Sequence, residues 1–142
     1  EIRVVLYAEQ GTKGVDSTHR SEEALEAARA LSERCGSVVS VSGAVDLIVK
    51  GGSLFRVANG HPMMPRVTGL GCTATALTGA FAAVNPSPLE AAAHAMAALG
   101  IAGEIAAERS AGPGSLQMHL LDALYGLSEE DVRKRLRMEA GL

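Results

Sequence analysis

Aromatic side chains are scarce in this 142-residue chain: it has no Trp, two Tyr and two Phe. Apolar residues still make up 47% of the sequence, so small aliphatic side chains, chiefly Ala and Val, must fill the core. An excess of basic residues is also missing, because the net charge is −3. Proteins that bind nucleic acids normally show a basic face, often with aromatic side chains that stack on bases. A nucleic-acid partner is therefore not expected.

Cysteine is rare as well, and Cys35 and Cys72 are far apart with no metal-binding pair. This excludes a disulfide framework and favours a reducing cytoplasm. The Ala-rich stretch is interrupted by Asn85-Pro86-Ser87-Pro88 and Glu90, so neither a membrane span nor a signal peptide is predicted. The length fits one domain or a large piece of one. The first residue is Glu1 rather than Met, which predicts that the chain starts inside a larger protein.

The first half of the chain predicts a helix followed by short strands. The run Glu1–Glu9 suits a strand or a buried helical turn equally well. Ser21 is the expected N-cap of a helix, with acidic residues after it, and Gly36 is its expected end. Three β-branched or apolar runs then predict strands, of which the last two form a hairpin around Gly51-Gly52: residues 37–42, 47–49 and 54–57.

The second half predicts helices only. The apolar run from Gly71 to Val84 fits a buried helix. Ser87-Pro88-Leu89-Glu90 then has the pattern of a capping box with proline at the first helical position, and the helix it opens runs to about Glu108. A further helix follows the break at 112–115, and Ser128 caps a last, charged helix. This order predicts an α/β layer whose sheet is completed elsewhere.

One loop has the composition of an anion site. In Thr68-Gly69-Leu70-Gly71-Cys72, two glycines flank one residue where a turn gives way to an apolar helix. Glycine lets a ligand approach the backbone closely, and the free N–H groups of a first helical turn attract anions. The amides of Leu70, Gly71 and Cys72 are therefore candidates for holding a phosphate or an oxyanion.

Two other interpretations of this loop are open to comparison. Glycines before a helix are also common for purely structural reasons. Gly69 to Ala74 further satisfies G-x-G-x-x-A, the dinucleotide-binding fingerprint. That fingerprint requires a second strand with an acidic residue at its end, but here another helix follows and Glu90 serves as its capping residue. The dinucleotide interpretation is therefore rejected.

Cys72 and the histidines also allow structural interpretations. A lone cysteine in an apolar run is often a small core residue, whereas the amino end of a helix favours the reactive thiolate form. The four histidines lack metal-ligand spacing and are interpreted as structural or surface groups, with His94 as a core residue: His19, His61, His94 and His119.

Several segments, taken in order, resemble the hydroxyethylthiazole kinase family of the ribokinase-like fold. Cysteine at position 72, where most ribokinase-like enzymes have Asp, makes the resemblance specific. The matching segments cover essentially the whole chain: Lys13-Gly14-Val15-Asp16-Ser17, Val41-Ser42-Gly43-Ala44-Val45-Asp46, Asn59-Gly60-His61-Pro62, Val67-Thr68-Gly69-Leu70-Gly71-Cys72, Gly112-Pro113-Gly114-Ser115, and Leu121-Asp122-Ala123-Leu124 leading to Leu127–Asp131.

The resemblance implies a homotrimeric enzyme of thiamine salvage that uses ATP and Mg²⁺ to phosphorylate 4-methyl-5-(2-hydroxyethyl)thiazole. It places Gly69 at the glycine that contacts the thiazole and Cys72 at the catalytic base. Ser42 falls where the family has a nucleotide-contacting Thr, and Glu1 falls at the Glu of an N-x-x-E motif that helps hold Mg²⁺. The Asn of that motif is absent here.

The resemblance also implies a missing half. Family chains are about twice as long, so residues 1–142 are expected to be the C-terminal half of one three-layer ribokinase-like domain. The fragment by itself is then expected to lack much of the thiazole pocket. The alternatives are another ribokinase-like kinase, such as one acting on a hydroxymethylpyrimidine, and a non-catalytic fragment that only packs or oligomerises.

Overall fold

Alternating side chains on the central strands divide the fold into layers. The computed structural model describes the backbone of residues 17–141 and the side chains from residue 23. Its elements in the first half are helix α1 (Ser17–Cys35) and strands β1 (Val39–Val41), β2 (Asp46–Lys50) and β3 (Ser53–Val57). A 3₁₀ turn follows (Met64–Arg66), then helices α2 (Leu70–Val84), α3 (Pro88–Ala107), α4 (Pro113–Tyr125) and α5 (Glu129–Arg135), and strand β4 (Met138–Gly141).

The four strands form one antiparallel sheet in the order β1-β2-β3-β4. On β2, Leu47 and Val49 pack with α1, while Ile48 between them packs with α3. This period of two places α1 on one face of the sheet and α3 on the other. Helices α2 and α4 flank α3. The predicted α/β class and the predicted hairpin are confirmed.

Several local predictions need correction. Helix α1 begins at Ser17, so Ser21 lies inside the helix and is not its N-cap. The strand predicted at 37–42 is shorter, Val39–Val41. The prediction of helices only after the hairpin is wrong, because Met138–Gly141 returns to pair with β3. This strand is short and contains Ala and Gly, so its sequence carries almost no strand signal.

The caps of the last helices follow the sequence pattern in part. Ser87 Oγ accepts the N–H of Glu90 at 3.4 Å, as predicted. The N–H of Ser87 bonds Asn85 Oδ1 at 2.9 Å, so Glu90 does not complete the reciprocal box. Ser128 and Asp131 form a full box at the start of α5, with backbone contacts of 3.1 and 3.2 Å.

Helix α2 is not the buried helix that its composition predicts. Thr78 is its one buried residue, and Val84 is 83% exposed. Helix α3 is buried along most of its length. By length and composition alone α3 could cross a membrane, but 72% of its most apolar 18-residue stretch is buried inside the fold. It packs as the central core helix.

A polar network ties the segment after β3 to α3 and to the start of β4. Asn59 is 5% exposed, and its side-chain amide donates to Glu104 Oε1 at 3.1 Å and to the carbonyl of Arg135 at 2.8 Å. Glu104 Oε1 also accepts the N–H of Gly60 at 2.8 Å and Nη2 of Arg137 at 2.6 Å. The Asn59 carbonyl Oδ1 accepts the N–H of Arg137 at 2.8 Å. The network thereby fixes where the chain leaves the sheet toward α2.

Two glycines of α3 make this close approach possible. A Cβ at Gly100 would lie 2.7 Å from backbone atoms of Asn59, and one at Gly103 would meet the side chain of Met64. The flexible side chain of Met64 could move away from a new Cβ, whereas the backbone of Asn59 could not. Gly100 is therefore required by packing.

We predict that Gly100→Ala lowers the free energy of unfolding by about 1–3 kcal/mol through overpacking. The matched control is Gly79→Ala in α2, where nothing lies within 4 Å of the new Cβ. There the gain in helix propensity should stabilise the chain by ~0.5–1 kcal/mol. Urea unfolding measures both variants. If Gly100→Ala is as stable as the parent, the backbone at Asn59 does not pack closely against α3.

A second prediction concerns the network itself. Asn59→Ala leaves the Arg137 N–H and the Arg135 carbonyl without their partner, so we expect a loss of roughly 1–3 kcal/mol in the free energy of unfolding. The control is Glu130→Gln, which removes the exposed pair of Glu130 with Lys134 and should change stability by no more than ~0.5 kcal/mol. A loss for Asn59→Ala as small as the control's would contradict a structural role for the network.

Candidate functional site at the start of helix α2

The amino end of α2 is open and uncapped. Its N-cap is Gly69, which has a left-handed backbone with φ 88° and supplies no side-chain cap. The first bond into the helix runs from the N–H of Thr73 to the Gly69 carbonyl at 3.0 Å. No described residue accepts a hydrogen bond from the three preceding amides, those of Leu70, Gly71 and Cys72. These donors are available to a ligand.

The surroundings of these amides leave room for an anion. Gly69, Gly71 and Cys72 are exposed and Leu70 is half-buried. Nothing lies within 4 Å of where a Cβ would stand at Gly69 or Gly71. A left-handed φ also disfavours any side chain at Gly69. Side chains therefore do not plug the helix start.

Cys72 is a free, exposed thiol. The alternative that it is a small core residue is therefore wrong. Its position in the first turn of α2 places it beside the free amides. Its role as a catalytic base stays a prediction.

Helix α2 itself is held by a partly buried apolar stripe. Leu70, Ala74 and Leu77 pack against the cluster formed by α3 and α4. Thr73 and Thr75 turn their hydroxyls back to the carbonyls of Gly69 and Gly71, at 3.2 and 3.0 Å. The Thr73 hydroxyl thus lies at the amino end of α2, beside the free amides. The helix dipole favours a negative charge at this end.

The predicted nucleotide contact lies on a different element. Ser42 is exposed and directly follows β1, in the turn that joins β1 to β2. No hydrogen bond joins this turn to the start of α2 within residues 17–141. The two predicted parts of the site are thus placed by separate elements, the sheet and the helix layer.

Glu1, the predicted metal ligand, lies outside the described residues. Among the side chains that the structure describes, residues 23–141, no group of three or more His, Cys, Asp or Glu could hold a metal ion. His94 is exposed on α3, so its interpretation as a core histidine is wrong.

The sequence patterns assigned no role to two carboxylates, Asp46, which is buried, and Glu104, which is partly buried. Glu104 anchors the network described above, and its side chain is 13% exposed. Asp46 is 8% exposed at the first position of β2. The signal at Asp46 is an acidic residue directly before the apolar run Leu47-Ile48-Val49, and the signal at Glu104 is an acidic residue within the mostly apolar α3.

Comparison with known proteins agrees with this architecture. The model of the hydroxyethylthiazole kinase family matches residues 1–130. A hydroxyethylthiazole kinase of Syntrophus aciditrophicus is 59% identical over 130 residues, which are 92% of this chain and 48% of that protein. One from Nitratidesulfovibrio vulgaris is 54% identical over 138 residues, which are 97% of this chain and 52% of that protein.

A solved structure shows the same fold. The hydroxyethylthiazole kinase protein from Pyrococcus horikoshii OT3 superposes with a TM-score of 0.83 at 39% identity, over 87% of this chain and 48% of that one. The chain spans about half the length of the relatives it matches, and the expected partial ribokinase-like fold is confirmed. This chain therefore belongs to the hydroxyethylthiazole kinase family.

Proposed function

We propose that residues 1–142 are the C-terminal half of one ribokinase-like domain that phosphorylates the hydroxyl of 4-methyl-5-(2-hydroxyethyl)thiazole. ATP is the phosphoryl donor. The observation that carries the proposal is the uncapped start of α2, with a left-handed Gly69 and free amides at the next three residues. The kinase names of the relatives support the same chemistry.

The free amides suit phosphoryl transfer. In such a reaction the enzyme mostly positions the groups and stabilises the charge that spreads over the transferred phosphoryl oxygens. The N–H groups of Leu70, Gly71 and Cys72 would donate to those oxygens, aided by the dipole of the 15-residue helix behind them. Loss of one such donor commonly lowers a rate ~10²–10³-fold.

The transfer itself is an in-line displacement. The substrate hydroxyl oxygen forms a bond to the γ-phosphorus, while the bond from that phosphorus to the β–γ bridging oxygen breaks and ADP leaves. The hydroxyl proton passes to Cys72, as a base or as a relay to water. A free thiol is mostly protonated at neutral pH, so the helix end must favour the thiolate or the base role is minor.

The remaining contacts are assigned by resemblance. Gly69 would contact the thiazole and Ser42 the nucleotide. Mg²⁺ would arrive with ATP, because this ion is usually bound through substrate phosphates and only one or two carboxylates. Glu1 is the candidate carboxylate.

We further propose a cytoplasmic homotrimer acting in thiamine biosynthesis or salvage, once the other half of the domain is present. The outer edge of β1 has no strand partner within residues 17–141, and a free edge invites pairing with another chain. Further strands from the missing half would cover it. This supports the view that the described sheet is part of a larger one.

Two alternatives remain as outcomes of the test. A hydroxymethylpyrimidine kinase is not favoured, because Cys72 stands where those enzymes usually have Asp and because the relatives are named for the thiazole. A fragment that only packs or oligomerises would bind no nucleotide. Calorimetry with Mg-ATP separates this last case, since such a fragment should give no heat.

We predict that the chain, co-expressed with the N-terminal half of the Syntrophus aciditrophicus relative, transfers phosphate from ATP to hydroxyethylthiazole, as followed by ³¹P NMR. Cys72→Ala should then lower kcat ~10²–10⁴-fold, the usual worth of general-base assistance. Cys35→Ala, at the exposed end of α1, is the matched control and should leave kcat unchanged.

Each result has a distinct meaning. A Cys72→Ala variant within twofold of the parent would remove Cys72 from the mechanism while leaving the kinase assignment intact. Phosphorylation of a hydroxymethylpyrimidine in place of the thiazole would support the alternative kinase. Absence of any transfer, with no heat on adding Mg-ATP, would leave only the packing role.

A further inference from the structure

Asp46 is a buried carboxylate with little to stabilise its charge. It is 8% exposed, and its one hydrogen-bond donor among the described residues is the N–H of Gly43, at 2.9 Å to Oδ1. A carboxylate can accept several hydrogen bonds. The described part of the chain therefore leaves most of the hydrogen-bonding capacity of this buried group unused.

Among the described side chains, residues 23–141, no neighbouring cation compensates for the burial. Asp46 lies on the α3 face of the sheet, since Leu47 faces α1. The charged or titratable side chains on β2, β3 and α3 form no ion pair with it and do not contribute to its pKa: Lys50, Arg56, Glu90, His94 and Glu104. The strand β1 and the turn 42–45 contain no titratable group, and helix α1 packs on the opposite face of the sheet.

Burial consequently raises the pKa of the Asp46 carboxyl to about 6, with the Gly43 hydrogen bond opposing the rise. Because this pKa is above the ordinary value of 3.8, folding disfavours the ionised form. The free energy of unfolding therefore falls as pH rises from about 4 through about 6, and the loss persists at higher pH. Near neutral pH the fold alone would be more stable with a neutral residue here.

The Asp46 carboxylate has one specific structural contact, the hydrogen bond that it accepts from Gly43. It fixes the N–H of Gly43 and so closes the turn that carries Ser42. The turn is tight, because a Cβ at Gly43 would lie 3.3 Å from the carbonyl oxygen of Val45. The turn residues Ser42 to Val45 are exposed above the buried carboxylate. A charge that weakens the fold but shapes an exposed turn is typical of a functional position.

We propose that Asp46 is a positioning residue for the nucleotide: its ionised carboxylate locks the Ser42–Gly43 backbone in the conformation that binds ATP. The inference rests on the proposed nucleotide contact at Ser42. Asp46 touches neither substrate nor reacting atoms in this role. It acts through the turn.

The first test observes the turn directly in the 142-residue chain. The Gly43 amide proton should shift with a midpoint near pH 6 as Asp46 titrates, and the shift should vanish in Asp46→Asn. Asp122→Asn, the same change at an exposed site on α4, should leave it in place. A Gly43 amide whose shift does not respond to the titration of Asp46, at whatever pH that titration occurs, would show that the carboxylate does not hold the turn and would overturn the inference.

The second test separates positioning from a merely structural role. At pH 8 Asp46→Asn should melt at the same temperature as the parent or higher, because it removes a buried charge. Asp46→Ala should weaken Mg-ATP binding about tenfold in calorimetry, the worth of one hydrogen bond to a charged group. Asp46→Asn, which keeps an acceptor, should fall between Asp46→Ala and the parent.

The outcomes distinguish the two proposals. Variants that melt lower at pH 8 yet bind Mg-ATP like the parent would make Asp46 structural and overturn the inference. A parent chain that gives no heat with Mg-ATP would instead overturn the nucleotide role of Ser42, and with it the nucleotide part of the inference. The Gly43 titration would still decide whether Asp46 controls the turn.

Discussion

The close approach of the backbone at Asn59 to helix α3 is the contact on which the rest of the structure depends. It requires glycine at position 100, since a Cβ there would lie 2.7 Å from backbone atoms of Asn59. Seated in this way, Asn59 reaches both Glu104 of α3 and the backbone around β4. One side chain thereby joins the sheet, the central helix and the end of the chain, and a buried polar group so well satisfied adds specificity to the packing.

The same contact determines where the candidate site lies. From Gly60 the chain passes through one 3₁₀ turn and reaches Gly69 within a few residues. Val67 is buried against α3 and α4, so both ends of this connection are fixed. The start of α2 is therefore held by the packing of the apolar side chains of Val67 and Leu70 rather than by a side-chain cap, and its amides remain free. A site held in this way loses little entropy when a ligand binds.

Local sequence signals predicted much of this arrangement, but the features that depend on residues far apart in the sequence were not predicted. Ser87-Pro88 and Ser128 mark helix starts because capping chemistry involves only neighbouring residues. Strand β4 was missed because Met138–Gly141 becomes a strand only through pairing with β3, far away in the sequence. Helix α2 was predicted to be buried because it is apolar, but burial depends on what surrounds a helix. Among described residues α2 packs mainly on α3, which leaves Val84 exposed.

In the candidate site, too, local features were predicted from the sequence and long-range features were not. Glycines before an apolar helix indicated free amides correctly, because the number of unpaired N–H groups follows from helix geometry. The one local sign at Asp46 was an acidic residue directly before an apolar run, but its burial beneath the Ser42 turn arises from the sheet and α3 together. Sequence patterns identify the unpaired amides at a helix start, whereas a buried carboxylate can be identified only from the packed structure. Asp46 belongs to the second kind: its ionised form opposes folding while it holds Gly43, so fold stability alone does not explain an acid at this position.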